Sequence, residues 1–228
     1  METFHRYRID AILIFGDRDD RGHSAYTALS EKSTIPIVVY GAAGSPPFST
    51  IDVNRGQAIR LALRHLAELG HRQIAYIGET NDDDPMQTVK IKAYLDEASQ
   101  LGLPVNRNIV LSLNGLKFHD GFLATRSMLD WNNPPTAVIS GGIDLTQGIL
   151  RAIAERGLRV PEDIAVVSYD NLPQMEVTEI PTTTVGVAIS TITSVIAAIV
   201  FDLIHHPEAI KNVFLEPELV IRASTALK

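Results

Sequence analysis

The run GLRVPEDIAVVSYDN, which begins at Gly157, constrains the fold of this chain more than any other segment. Gly157 can adopt the left-handed conformation that ends a helix, and Pro161 cannot continue one. Residues 164–167 are apolar and mostly β-branched, which is typical of a strand buried on both faces of a parallel sheet. Asp170 and Asn171 follow at the carboxyl end of that strand, where open α/β sheets bind ligands.

Strand and helix patterns alternate through most of the chain. The predicted strands are residues 9–15, 35–40, 73–78, 109–113, 136–140 and 164–167, and the predicted helices are residues 24–32, 54–69, 86–101, 118–129 and 144–156. Such repetition implies right-handed β-α-β units and a parallel sheet. After Pro181 the pattern changes to one long apolar helix, residues 187–205, and two short strands, residues 213–215 and 218–221.

Composition narrows the class of protein. The 228 residues, 45% of them hydrophobic, are enough to bury one large core or two smaller ones. A formal net charge of −7 gives no general attraction for nucleic-acid phosphates, so any DNA-binding surface is expected elsewhere. The longest apolar stretch is too short to cross a bilayer and the first residues lack the apolar core of a signal peptide, so a cytoplasmic location is the default expectation.

No pattern for a catalytic or metal site is present. The chain has no cysteine, which excludes disulfides and thiolate chemistry. It has neither a His-Glu-x-x-His nor a Gly-x-Ser-x-Gly motif, and its adjacent pair His205 and His206 is unsuited to binding one metal ion. We therefore expect no cofactor, no metal and no enzymatic activity.

Three further segments carry a family resemblance: HLAELGHRQIAYIG at residues 65–78, PTTTV at 181–185 and ELVIRAST at 218–225. Together with the run at residues 157–171, they resemble the LacI/GalR (lactose-repressor/galactose-repressor) family of bacterial transcription regulators. The resemblance implies an α/β, two-lobed, periplasmic-binding-protein-like (type I) fold of parallel sheets flanked by helices, with a ligand cleft between the lobes.

The resemblance also implies a domain division. Residues 1–52 and 186–210 would form an incomplete amino-terminal lobe, and residues 53–185 and 211–228 the carboxy-terminal lobe. The family's DNA-binding headpiece, and the first elements of the amino-terminal lobe, are expected to be absent from this chain.

Three polar residues are the first candidates for ligand contacts. The matching Asp in the family accepts hydrogen bonds from the ligand, which implies this role for Asp170; the alternative is that Asp170 only stabilises a turn. The same two roles, contact with the ligand and stabilisation of the turn, are open for Asn171. Lys90 stands where the family usually has Arg, and an exposed lysine on a helix surface is the competing interpretation. On the same helix, Lys92 is expected at the surface and Tyr94 in the core.

Three further residues occupy places that face the ligand in relatives. Leu116 stands where relatives often have an aromatic residue that stacks on the ligand, and Phe118 could replace it or simply begin the next helix. Asp144 could cap its helix, which is the favoured interpretation, or face the cleft.

The sequence thus predicts the effector-sensing domain of a transcription regulator. Its partners would be a small molecule, sugar-like or purine-like, and a second copy of the chain, with DNA bound only through the absent headpiece. A solute-binding protein of a transporter is the alternative function, and a small sugar-modifying enzyme is a weaker one.

Overall fold

The computed structural model describes residues 9–16, 27–28, 31, 35–41, 47–79, 85–104, 110–113 and 117–226. In chain order the elements are β1 (Ile12–Phe15), β2 (Ile37–Tyr40), β3 (Ser49–Val53), α1 (Arg55–Glu68), β4 (Ile74–Glu79), α2 (Pro85–Gln100), β5 (Val110–Leu113), α3 (Phe118–Leu129), β6 (Ala137–Ser140), α4 (Ile143–Glu155), β7 (Ala165–Asn171), a 3-10 helix (Pro173–Glu176), β8 (Thr183–Ala188), α5 (Ile189–His205), β9 (Asn212–Leu215) and β10 (Glu218–Val220). Most of the predicted helix at residues 24–32 lies outside the described residues.

The chain divides into two compact units. The smaller comprises Met1–Asn54, Asp83–Met86 and Ile189–Leu215, and the larger comprises Arg55–Asp82, Gln87–Ala188 and Glu216–Lys228. The division inferred from the family resemblance placed residues 211–215 with the larger unit. In the structure β9 instead pairs with β3, in the smaller one.

The smaller unit is built on a four-stranded parallel sheet in the order β1-β2-β3-β9. The sequence pattern did not predict β3, because its first residues, Ser49 and Thr50, are polar. Both are nevertheless buried, and their hydroxyl groups are hydrogen-bonded. Thr50 Oγ1 donates to Asn212 Oδ1 at 2.8 Å, and Ser49 Oγ accepts from the backbone N–H of Lys211 at 3.0 Å. These bonds remove the cost of burying the two hydroxyls.

The larger unit contains a six-stranded sheet in the order β10-β8-β7-β6-β4-β5. All neighbours in it are parallel except the antiparallel pair β10 and β8. Every residue of β4 and β6 is buried, which shows that helices cover both faces of these strands. The parallel α/β sheets that the sequence predicted are therefore present. No helix in the described part of the chain has the length and apolarity to span a membrane.

Two tyrosines in the core of the larger unit differ in the hydrogen bonding of their hydroxyl groups. The rings of Tyr76 and Tyr94 lie 5.9 Å apart, and both side chains are buried. Tyr94 Oη donates to the carbonyl oxygen of Ile74 at 2.5 Å. Tyr76 Oη has no hydrogen-bond partner among the described residues. A buried hydroxyl without a partner has lost its bonds to water without replacement, and this costs about 1–3 kcal/mol.

We expect Tyr76→Phe to leave the free energy of unfolding unchanged or raise it by about 1 kcal/mol, because it removes an unsatisfied polar atom. Tyr94→Phe is the matched control and should lower the same quantity by about 1 kcal/mol, because it leaves the Ile74 carbonyl group without its donor. Urea denaturation of both variants measures the difference. If Tyr76→Phe proves the more destabilising of the two, the assignment of the hydroxyl groups is wrong.

A chain of buried hydroxyl groups ties the carboxy-terminal segment to α1. His65 Nε2 lies 2.9 Å from Thr225 Oγ1, which lies 2.8 Å from Thr183 Oγ1. Burial lowers the pKa of His65 below its ordinary value of 6.5, against an opposing effect of the nearby Glu68 carboxylate. The folded protein therefore favours the neutral imidazole more than the unfolded chain does.

The protein should lose stability in mild acid for this reason. The unfolded chain binds a proton at His65 more readily than the folded chain does, so the contribution of His65 is complete above pH 6.5 and is lost as the pH falls toward the lowered pKa. We expect His65→Gln to weaken the fall in stability between pH 7 and pH 5. Urea denaturation at several pH values provides the measurement, and an equal fall in the parent chain and the variant would contradict the prediction.

Candidate ligand-binding site

Three of the predicted site residues, Lys90, Asp170 and Asn171, lie at the carboxyl edge of the larger unit's sheet. Parallel strands β4, β6 and β7 end there at Glu79, Ser140 and Asn171. Lys90 reaches the same edge from α2, because its Nζ donates to the carbonyl oxygen of Gly141, directly after β6, at 3.3 Å. Free strand ends and the start of helices converge at such an edge, which is the usual ligand position in this class of sheet.

Asp170 has an unusual backbone conformation. Its φ angle is 78°, in the left-handed region that non-glycine residues seldom occupy, although Asp tolerates it better than most. The pairing of β7 with β8 is irregular here, since Tyr169 pairs with Val185 but Asn171 pairs with Ala188. A bulge of this kind turns a side chain away from the regular direction, and backbone strain of this kind tends to persist at binding sites.

The Asp170 carboxyl group is accessible to solvent, but the surrounding protein shifts its pKa. Its side chain is exposed to solvent, and it accepts no hydrogen bond from any other described residue. The surrounding protein removes part of its hydration and raises its pKa above the ordinary value, while the positive charges of Lys90 and Arg55 act in the opposite direction. Within the described part of the chain, the group is therefore a hydrogen-bond acceptor without a donor, with two cations close by.

Lys90 is not an exposed lysine on a helix surface, so that interpretation was wrong. Its side chain is 3% exposed, and its Nζ lies 3.7 Å from the centre of the Tyr169 ring. A cation over an aromatic face is stabilised by the charge distribution of the ring. The other two expectations for this helix are confirmed, because Lys92 is exposed and Tyr94 is buried.

A signal for the burial of Lys90 was present in the sequence. Gln87, Lys90, Tyr94 and Ala98 follow one another at spacings of three or four residues, which places them on one helix face. All four are buried. Because Tyr94 was expected in the core, the same periodicity could have placed Lys90 on the protein-facing side, but that choice was left open.

Asn171 is engaged within the protein through its amide oxygen. Thr184 Oγ1 donates to Asn171 Oδ1 at 3.0 Å, and Arg222 Nη2 lies 3.4 Å from the same atom. The side chain therefore has a structural role at the end of β7, while a role in contacting a ligand stays a prediction.

The remaining predicted residues are less closely tied to this edge. Phe118 is the first residue of α3, is 44% exposed and stacks on Phe122 with ring centres 6.3 Å apart. Leu116 lies outside the described residues. The expectation that Asp144 caps α4 was wrong: Gly142 is the N-cap residue, and Asp144 lies exposed in the first turn. A carboxylate there still interacts favourably with the helix dipole.

Sequence reasoning missed Arg55 and a pair of buried hydroxyl groups. Arg55, the first residue of α1, is close enough to Asp170 for its positive charge to oppose the rise in the Asp170 pKa. Ser168 Oγ and Thr146 Oγ1 lie 2.7 Å apart in the core beneath the end of β7. The described residues include no group of three or more His, Asp or Glu side chains that could hold a metal ion.

Comparisons with known proteins identify the family to which this fold belongs. The family model of the periplasmic binding protein-like domain matches residues 63–225. An uncharacterized HTH-type transcriptional regulator of Streptomyces limosus is 31% identical over 212 residues, which are 88% of this chain and 57% of that protein. The HTH-type transcriptional repressor PurR of Haemophilus influenzae (strain PittEE) is 26% identical over 98% of this chain and 67% of its own length.

The fold comparison gives the same result. The chain superimposes on the lac repressor, solved as a dimer bound to operator and the anti-inducer ONPF, with a TM-score of 0.83 at 23% identity, over 99% of this chain and 77% of that one. The fold defines a domain of the periplasmic-binding-protein class. The chain belongs to the periplasmic binding protein-like family, in the form that serves as the effector-binding domain of LacI-family regulators. The predicted fold class and family are confirmed.

Proposed function

We propose that this chain binds a small molecule at the carboxyl edge of the six-stranded sheet and that Asp170 is its principal polar contact. The observation that carries the proposal is the Asp170 carboxylate, which is exposed, accepts no hydrogen bond from other described residues and is held in a left-handed conformation at a strand end. A structural turn residue would use its oxygens on its own backbone. A carboxylate at this edge, without a donor among the described residues, suits a ligand with two adjacent hydrogen-bond donors.

The chemistry of the edge favours a ligand with paired donors, such as two neighbouring sugar hydroxyls or the ring N–H groups of a purine-like base. A carboxylate accepts both donors at once, and these charge-assisted bonds are stronger than neutral ones. The Lys90 ammonium is fixed by the Gly141 carbonyl group and the Tyr169 ring, so it provides a positioned charge rather than a mobile one. The ligand therefore meets an acceptor and a cation in fixed places.

As part of a whole regulator, the domain would control DNA binding in the cytoplasm as a homodimer. This part of the proposal rests on the relatives, of which one is a transcriptional repressor and one was solved as a dimer on operator DNA. The net charge of −7 supports a separate DNA-binding surface. Binding of the small molecule need only favour one conformational state over the other by a few kcal/mol to switch it, roughly 5.5 kcal/mol for a nearly complete change.

A thermal-shift screen tests the proposal. The panel contains monosaccharides, disaccharides, sugar phosphates, nucleosides and purine bases, each applied to the parent chain and to Asp170→Asn. We expect a compound that raises the Tm of the parent chain in a saturable manner and raises that of the variant much less. Equal shifts in the two proteins would place the ligand away from Asp170.

A further inference from the structure

The guanidinium group of Arg222 joins three separate pieces of the larger unit. It donates to the carbonyl oxygen of Thr182 at 3.0 Å, to Thr184 Oγ1 at 2.8 Å and to Glu176 Oε1 at 3.0 Å, and it approaches Asn171 Oδ1 at 3.4 Å. Its side chain is only 10% exposed. The planar fork of an arginine can serve several acceptors in fixed directions at once, which a lysine cannot do.

Arg222 and one of its acceptors, Thr184, both contact the side chain of Asn171. Asn171 Oδ1 accepts from Thr184 Oγ1 at 3.0 Å, and Arg222 holds both the threonine and the asparagine. The residue that follows Asp170 is therefore fixed through its side chain. On the other side of the bulge, the backbone of Gly186 runs so close to residues 170 and 171 that a Cβ atom there would lie 3.0 Å from the Asn171 backbone nitrogen.

These contacts account for the persistence of the Asp170 conformation. A non-glycine residue at a φ of 78° is strained by about 1 kcal/mol or more and relaxes unless its surroundings prevent it. The constraint is applied to its neighbour, because the Asp170 carboxylate accepts no hydrogen bond from the described residues.

The backbone of Arg222 is held independently of its side chain. Its N–H donates to Thr183 Oγ1 at 2.9 Å, and two residues later Ser224 Oγ donates to the carbonyl oxygen of Val166. We therefore expect the carboxy-terminal segment to stay attached when the guanidinium group is removed. The side chain can then be tested in a folded variant.

We propose that Arg222 is a positioning residue of the ligand site, which acts through Asn171 to keep Asp170 in its left-handed, ligand-facing conformation. The proposal rests on the function proposed above for Asp170. Arg222 contacts no ligand in this account. It determines the fraction of molecules in which the carboxylate is correctly placed.

The first test measures conformation and needs no ligand. NMR chemical shifts of the Asp170 Cα and Cβ atoms and its amide-to-Hα coupling report φ in the parent chain, in Arg222→Gln and in Arg151→Gln. Arg151 is a matched control, because it also forms an ion pair with a glutamate but lies exposed on α4. We expect Arg222→Gln to shift Asp170 out of the left-handed region and Arg151→Gln to leave it there. An unchanged φ in folded Arg222→Gln overturns the proposal.

The second test measures affinity with the panel compound that gives the largest thermal shift. If the competent fraction falls to about one tenth, Kd in Arg222→Gln rises about tenfold. In an Asp170→Gly background the same change should have almost no further effect on Kd, because no side chain remains at residue 170 to be positioned. If the losses of binding free energy in the two single variants add in the double variant, Arg222 acts elsewhere, and the proposal is overturned. Equal binding by Asp170→Asn and the parent chain would instead refute the function proposed for Asp170, and the NMR result for Arg222 would still stand on its own.

Discussion

Replacing Asp170 by Asn is expected to weaken small-molecule binding by about tenfold to a hundredfold, while the free energy of unfolding stays nearly constant. The amide has the shape of the carboxyl group, so packing is preserved. Asn also tolerates the left-handed φ of 78° at least as well as Asp. The variant exchanges charge-assisted bonds for weaker neutral ones and presents an N–H₂ group to the ligand's donors. A loss of about 1.5–3 kcal/mol corresponds to the stated range of Kd.

Two companion variants distinguish binding from folding. Asp96→Asn, at an exposed position on α2, is the matched control and should leave Kd unchanged. Asp170→Gly should also lose affinity but should raise the free energy of unfolding by about 1 kcal/mol, because glycine adopts a positive φ without strain. Asp170→Ala is a poorer choice, since it combines the loss of the carboxylate with added strain. Isothermal titration calorimetry with the panel compound measures Kd, and a value for Asp170→Asn equal to the parent's would remove Asp170 from the site.

Gly148→Ala is expected to destabilise the fold by about 3 kcal/mol or more, the upper range of overpacking. Gly148 lies on α4 where that helix meets the start of α3. A Cβ atom on Gly148 would overlap the carbonyl oxygen of Phe118 and lie 2.8 Å from the backbone nitrogen of Phe122. Backbone atoms within a helix cannot move aside as the end of a flexible side chain can. Gly121 faces the Leu145 carbonyl group in the same way, so this helix pair depends on two glycines.

Gly56→Ala is the matched control for this prediction. Its Cβ atom would meet Ala93 Cβ and Val89 Cγ1 at an ordinary 3.5 Å, and its closest neighbour, Arg60 Nη1 at 3.2 Å, ends a flexible side chain. Alanine is the better helix former by about 1 kcal/mol, so this variant should be neutral or more stable. Thermal unfolding followed by circular dichroism compares the two. Similar stabilities for Gly148→Ala and Gly56→Ala would show that α3 and α4 are not in backbone contact.

The elements that the sequence predicted well are those whose burial follows a simple period. The strand at residues 164–167 and the helix at 118–129 are both present, because continuous apolar runs and helical spacing are local properties. β3 was missed because its buried polar residues depend on Asn212 and Lys211, more than 150 residues away. No local pattern contains that information.

The candidate site shows the same limit. Asp170 could be named as a candidate because the end of a buried strand is visible in the sequence. The contacts of Arg222 could not be predicted, since its acceptors belong to β7, β8 and the 3-10 helix and meet only in the folded unit. The position of Lys90 lay between these cases: its helical face could be deduced, whereas its contact with the Tyr169 ring could not.

The carboxyl edge of the six-stranded sheet is tested most directly by a crystal structure of the chain with the panel compound that raises its Tm most. We expect the compound at that edge, with two of its donor atoms about 2.7–3.2 Å from the Asp170 carboxylate oxygens, the usual hydrogen-bonding range. Residue 170 should keep its left-handed conformation, and Lys90 its place over the Tyr169 ring. A compound bound elsewhere, with the Asp170 carboxylate facing only solvent, would contradict the assignment of this site.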